Sequence, residues 1–264
     1  MNRIIHFAHA NGFPALTYKK LFSYLSDEFE VFFLERHGHN PDFPVTDNWV
    51  FLKEELKAEL EKRYQRPIIG LGHSLGGILH ILVSIEKPEL YEQIILLDSP
   101  IINRSVSFLL KIAKKTGFIQ KLSPARSTRF RKNFWKSKEE AFDYFRNKPR
   151  FRDFDVDVLR DYVNHGIIQN GTGFQLFFKP SIEAKIYLTI PDNLPKIYNK
   201  ICVPFSFIAG SRSLETKFAG ISYTKKHPMF KALIKVEGSH LFPFEYPFEA
   251  AKAIKEVIKM NRFD

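Results

Sequence analysis

The chain has 264 residues, 44% hydrophobic and 15% aromatic, with 40 lysines and arginines against 29 acidic residues and a net charge of +11. That length and 27 phenylalanines demand one large core, which excludes a disordered or collagen-like chain, and a single cysteine excludes an internal disulfide framework. Cys202 is expected as a small buried hydrophobe. The apolar start at Ile4, Ile5 and Phe7 is too short for a secretory signal, and no run of about 18 apolar residues occurs, so a soluble cytoplasmic protein is expected.

Short β-branched and aromatic runs at 4–8, 31–34, 68–71, 94–97, 205–209 and 233–236 are nearly continuous in apolarity. That is the pattern of parallel strands covered on both faces by helices. Between the second and third runs, Trp49, Leu52, Leu56 and Leu60 recur at helical spacing, with Asp47 as a candidate cap. After the third run, Leu75, Ile78, Leu79, Leu82 and Val83 mark another helix, closed by Pro88.

The alternation stops after Pro100. Residues 101–190 carry helical patterns at 108–115, 139–145 and 156–163 and no convincing strand; the alternation resumes at Ile201 and ends in a helix over 247–260. The expected architecture is therefore an α/β core from 1–100 and 191–264, with a helical cap of 101–190 lying over the C-terminal edge of the sheet. Residues 101–152 contain fifteen lysines and arginines and three acids, a surplus of twelve that leaves the rest of the chain close to neutral. Mixed with Phe108, Leu109, Phe118, Phe130, Phe134 and Trp135, this charge suits an anionic membrane, a phosphorylated substrate or a nucleic acid. Alternatively it forms a solvated face over inward-pointing aromatics. Nucleic acid is the weakest of these, because no recognition motif accompanies the charge.

The third run ends in Gly70-Leu71-Gly72-His73-Ser74-Leu75-Gly76-Gly77 and leads directly into a helix. Gly72-His73-Ser74-Leu75-Gly76 is a nucleophile-elbow pattern in its required context of strand, sharp turn and helix. Small residues two before and two after Ser74 let strand and helix approach, and the turn lifts the hydroxyl above the sheet. A serine hydroxyl needs a base, and His240 follows the last run in Gly238-Ser239-His240. His9-Ala10-Asn11-Gly12 closes the first run, where the N–H of Asn11 pairs with that of Leu75 as a candidate oxyanion hole. His37-Gly38-His39 reads chiefly as packing, and His165 and His227 lack a comparable setting. No histidine, cysteine and carboxylate spacing suggests a metal, and no cofactor is called for.

These features together resemble the α/β-hydrolase superfamily across almost the whole chain. The resemblance implies that Ser74 attacks a carbonyl and His240 relays the proton. It departs from the family in two places: Ala10 stands where a glycine is usual, and the opening hairpin is missing, which leaves about six strands. The family commonly places its acid three residues beyond the glycine ending the penultimate strand, where this chain has Ser213, with Glu215 two residues farther on. The other family location follows the strand after the nucleophile and holds Asp98, favoured here over Glu215. The implied reaction is hydrolysis of a carboxylic ester of an apolar acyl group, with a phenylalanine-lined cap as acyl chamber and an anionic or lipid-like substrate within reach. Thioesterase or lysophospholipase activity is the alternative, and a non-catalytic binding protein of the same fold the second. No oligomeric interface is legible.

Overall fold

The near-continuous apolar runs form a parallel sheet because both of its faces are buried. The computed structural model describes residues 3–219 and 221–260. Strands β1 (Arg3–Ala8), β2 (Phe29–Phe33), β3 (Ile68–His73) and β4 (Tyr91–Leu97) precede the insertion. Strands β5 (Phe134–Trp135), β6 (Ile167–Asn170) and β7 (Gly173–Leu176) lie within it, and β8 (Phe205–Gly210) and β9 (Phe230–Val236) follow. The main sheet runs β2-β1-β3-β4-β8-β9, and every pairing in it is parallel.

Side chains alternate across this sheet with period two. Ile5, Phe7, Ile69, Leu71, Ile95 and Leu97 join one core, while Ile68, Ile94, Leu96, Phe205 and Phe207 join the other. Helix α1 (Lys19–Ser23) and the final helix Pro247–Met260 cover the first face. Helices α2 (Val50–Arg63) and α3 (Leu75–Glu86) cover the second. The strand order reverses at β1, whose neighbours are β2 and β3, and ligands of open parallel sheets bind at the carboxyl ends of strands beside such a switch. The loop after β1 and the turn after β3 both sit there.

Three local expectations need correction. Asp47 does not cap α2: Asn48 and Trp49 occupy the left-handed region at φ 57° and 55°, the helix starts at Val50, and the Asp47 carboxylate pairs with Lys114 of the insertion. The insertion is not purely helical, because β5, β7 and β6 make a small antiparallel sheet. Its hairpin turns at Gly171-Thr172, between the paired Asn170 and Gly173, with Gly171 at φ 57°, a glycine at the first position of a two-residue turn. Cys202 is exposed, since Ile201 and Val203 on either side of it take the inward positions.

Around these strands the insertion contains helices Arg104–Lys115, Lys138–Arg146, Val156–Gly166 and Pro180–Leu188, covering the three helical patterns and adding a fourth. It is fused to the body rather than set apart from it. Phe145, Phe151, Phe154, Leu159 and Tyr162 belong to the same buried cluster as Phe7 and Phe13. Lys20 of α1 pairs with Asp155 at 2.7 Å, and the Asp155 N–H donates to the Phe244 carbonyl.

Candidate active site

Ser74 occupies the turn between β3 and α3 with φ 53° and ψ −112°, a conformation that costs a residue with a side chain on the order of 1–3 kcal/mol. The strain is held by contact rather than by choice of residue. A Cβ on Gly76 would lie 1.9 Å from the Ala8 carbonyl oxygen, and one on Gly72 would lie 2.3 Å from the Gly77 nitrogen, so only glycines let α3 rest against β1 and β3. The Ser74 N–H donates to the Leu97 carbonyl at 3.0 Å. Ser74 is half-buried, at the positive end of the twelve-residue helix that begins with Leu75.

The loop after β9 brings His240 beside Asp98, which follows β4. The His240 Nδ1–H donates to Asp98 Oδ1 at 3.2 Å. Asp98 is fully buried, itself in the left-handed region at φ 46°, and accepts three further hydrogen bonds. These come from the Gly210 N–H at 2.8 Å, the Ser213 hydroxyl at 2.6 Å and the Thr216 hydroxyl at 2.8 Å. Burial pushes the carboxyl up, but the His240 hydrogen bond and charge, together with the Ser213 and Gly210 donors, outweigh it and hold the group below its ordinary value. Glu215 is exposed and accepts only a long 3.5 Å bond from Ser213. Ser213, standing at the usual acid position, thus serves as a hydrogen-bond donor to a carboxylate supplied from the other loop.

A second network joins the three loops and was not foreseen from the sequence. The Ala10 N–H donates to the Tyr18 hydroxyl at 3.2 Å, and Tyr18 O–H donates to His73 Nδ1 at 2.7 Å. The His73 Nε2–H then donates to the His240 carbonyl at 2.8 Å. The direction of each bond requires a neutral His73, and burial, with His240 next in effect, lowers its pKa to about 3. His73 was legible as part of the elbow but not as a partner, since its role depends on a tyrosine 55 residues away.

His9 and His39 act as neutral connectors between the turns. His9 Nδ1–H donates to the Ala10 carbonyl at 2.8 Å while Nε2 accepts the His37 N–H at 2.9 Å, and burial drives its pKa well down. His39 donates to the His37 carbonyl and accepts from the Lys179 N–H; burial lowers it to about 4. Asn11 is buried, and its Nδ2 donates to the Glu183 carbonyl at 3.0 Å while Oδ1 finds no protein partner. Its side chain is therefore committed to the insertion.

Above this loop stands a charged group that composition did not reveal. The Glu183 carboxyl lies over Gly12, buried, with Arg131 Nη2 2.6 Å away. Burial raises the Glu183 pKa against the opposing pull of Arg131 and Arg150. Arg150 also lines a cleft of about 310 Å³ beside His240, together with Arg212, Leu214, Glu215 and Glu245. The expected phenylalanine-lined chamber is filled instead: Phe13, Phe154 and Phe244 pack with centroids 4.8 to 6.4 Å apart, and Phe145, Phe151 and Tyr162 continue the cluster. A larger groove of about 860 Å³, lined by Tyr24, Phe248 and Met260, contains none of these residues. Among the described residues no cluster of three or more metal-ligating side chains occurs, and no helix is long and apolar enough to cross a membrane.

A parallel sheet with a helical insertion over its carboxyl edge, and a strained serine between strand and helix, define the architecture of a hydrolase. A sequence profile of the alpha/beta hydrolase family matches residues 7–251, and the chain belongs to that family. Karrikin insensitive 2 receptor IA from Petunia hybrida is 25% identical over 236 residues, covering 86% of this chain and 79% of the receptor. The crystal structure of E-2-(acetamidomethylene)succinate hydrolase superposes with a TM-score of 0.76 at 18% identity, covering 98% of this chain and 92% of the other. An esterase from M. tuberculosis gives 0.72 at 20% identity, covering 98% and 85%.

Proposed function

We propose that this chain is a serine hydrolase that cleaves a carboxylic ester of an apolar acyl group through an acyl-enzyme. The observation that carries the reading is the 3.2 Å bond from His240 Nδ1 to buried Asp98 on a loop tied by His73 to the strained Ser74 turn. With Nδ1 committed to Asp98, His240 presents Nε2 as the proton acceptor. The Ser74 oxygen attacks the ester carbonyl as its proton passes to His240. The N–H groups of Leu75 and Asn11 receive the developing oxyanion at the positive end of α3. His240 then gives the proton to the departing alkoxide, and the same base activates water to release the acid. Asp98 orients the imidazole and stabilises its cationic form without taking the proton.

The cleft of about 310 Å³ beside His240 is lined largely by charged side chains and does not include Ser74, so support for the class of bond comes from the His240–Asp98 geometry rather than from pocket size. The relative named as an esterase supports the same class of bond. The basic surplus of the insertion supports a second reading, a thioesterase or lysophospholipase whose leaving group is anionic. The receptor among the relatives gives the non-catalytic alternative its support. A panel of p-nitrophenyl esters and acyl thioesters of increasing chain length, followed at enzyme concentrations that reveal a burst, separates them. We expect a burst stoichiometric with enzyme and turnover of the esters; turnover restricted to thioesters selects the second reading, and binding without turnover the third.

A further inference from the structure

Helix Arg104–Lys115 is strongly amphipathic, and Ser107 and Lys114 join Ala113, Val106 and Leu110 on the side turned toward the body. Ser107 donates to the Asp192 carbonyl at 2.5 Å, and Lys114 bonds the Asp192 carboxylate at 2.7 Å, the Ile190 carbonyl at 3.1 Å and the Asp47 carboxylate. The outward side carries large apolar side chains: Phe108 is 64% exposed and Leu109 65%, followed one turn on by exposed Ile112. The two short helices that come next, Ile119–Leu122 and Ala125–Arg129, add Leu122 at 65% and Phe130 at 77%, beside exposed Phe118. Large apolar side chains scattered singly on a surface mean nothing, but these six are carried on or beside three consecutive helices that pack one against the next.

The charge in the cleft beside this patch has one sign, the carboxylates of Asp47 and Asp192 being paired with Lys114. A cleft of about 590 Å³ is lined by Lys121, Arg126, Arg129 and Lys185 with Phe130 and Leu188, and its described lining includes no acidic residue. Lys111 and Lys115 are exposed along the helix that carries Phe108 and Leu109. We infer that this face of the insertion docks on an anionic phospholipid surface, the apolar side chains entering the acyl boundary and the basic cleft receiving phosphate headgroups. Cations ringing apolar anchors are what such a surface requires: apolar burial and headgroup attraction each add affinity, and neither suffices alone. A second copy of this chain is a poorer occupant, because it would bring the same concentrated positive charge to the contact. The inference is independent of the proposed catalytic reading, since none of these residues belongs to the Ser74 site.

Cosedimentation of the full chain with vesicles of equal parts phosphatidylglycerol and phosphatidylcholine, against phosphatidylcholine alone, tests it. We expect binding to the mixed vesicles that falls at least about tenfold in high salt. Phe108→Ser with Leu109→Ser, and separately Arg126→Glu with Arg129→Glu, should each weaken binding by about tenfold or more while the thermal transition stays within a few degrees of the parent. Equal binding to neutral vesicles, no binding to either, or competition by millimolar inorganic phosphate with the apolar pair unimportant overturns it. So does sedimentation equilibrium showing a dimer that the Phe108 and Leu109 substitutions dissolve.

Discussion

The sheet-bearing body and the inserted segment solve opposite problems with the same kinds of residue. In the body, aromatics and aliphatics face inward from both sides of the sheet, and the buried Asp98 carboxylate is answered by His240, Ser213, Thr216 and Gly210. In the segment from Arg104 to Phe130, polar Ser107 and Lys114 face inward while Phe108, Leu109, Leu122 and Phe130 face out. Hydrophobic content alone therefore does not say where a core lies. What fixes orientation is which stripe finds partners, and in this segment Asp192 holds Ser107 and Lys114 inward beside the small or single apolar contacts of Ala113, Ile119 and Ala125.

If the body holds the chemistry and the outer insertion holds only a surface, substitutions should separate cleanly. Ser74→Ala should lower kcat on a soluble ester by about 10⁶-fold without altering the fold, measured by steady-state kinetics beside circular dichroism. Asp98→Asn should cost roughly 10³ to 10⁴-fold, because His240 loses the acceptor that fixes its tautomer, whereas Glu215→Gln should stay within about twofold. Reversal of those two results would move the acid to the other loop. Gly76→Ala should prevent soluble folding or lower the melting temperature by more than about 10 °C, given a Cβ 1.9 Å from the Ala8 carbonyl oxygen.

The buried histidines predict a pH response of the body as a whole. His6 and His9 are driven well below 6.5, and His73 and His80 to about 3, in each case first by burial. Each is neutral in the native state and takes up a proton on unfolding below about 6.5, so stability is present above that value and is lost as pH falls toward the folded pKa. Each contributes roughly 1.4 kcal/mol per pH unit in that window. The melting temperature should be flat from pH 8 to about 7 and decline steeply from about 6 to about 4.5. The smallest effect belongs to the outer face of the insertion: Phe108→Ser with Leu109→Ser should leave kcat/KM on a soluble ester within about twofold, and a large loss would couple that face to the chemistry.

Legibility in the sequence followed the range of the interactions. The strands at 4–8 and 68–71, the elbow and the final helix were readable because their signals lie within a few residues of one another. The Asp98 loop was readable only as one of two places for the acid, since the choice rests on Ser213 and Thr216 folding back across more than a hundred positions. The Tyr18–His73–His240 chain and the Glu183–Arg131 pair over Gly12 were invisible for the same reason. The β6–β7 hairpin is different: Gly171-Thr172 is a local turn signal, but strands of four residues are too short to show an alternation between the helical patterns on either side. Cys202 shows the converse, a residue whose usual preference yields to the alternation of its neighbours.

Intact mass after exposure of the folded chain to a fluorophosphonate, with Ser74→Ala in parallel, tests the central claim most directly. An activated Ser74 predicts a single covalent adduct on the parent and none on the variant. An unlabelled parent that unfolds cooperatively, or an adduct that persists in Ser74→Ala, would contradict it.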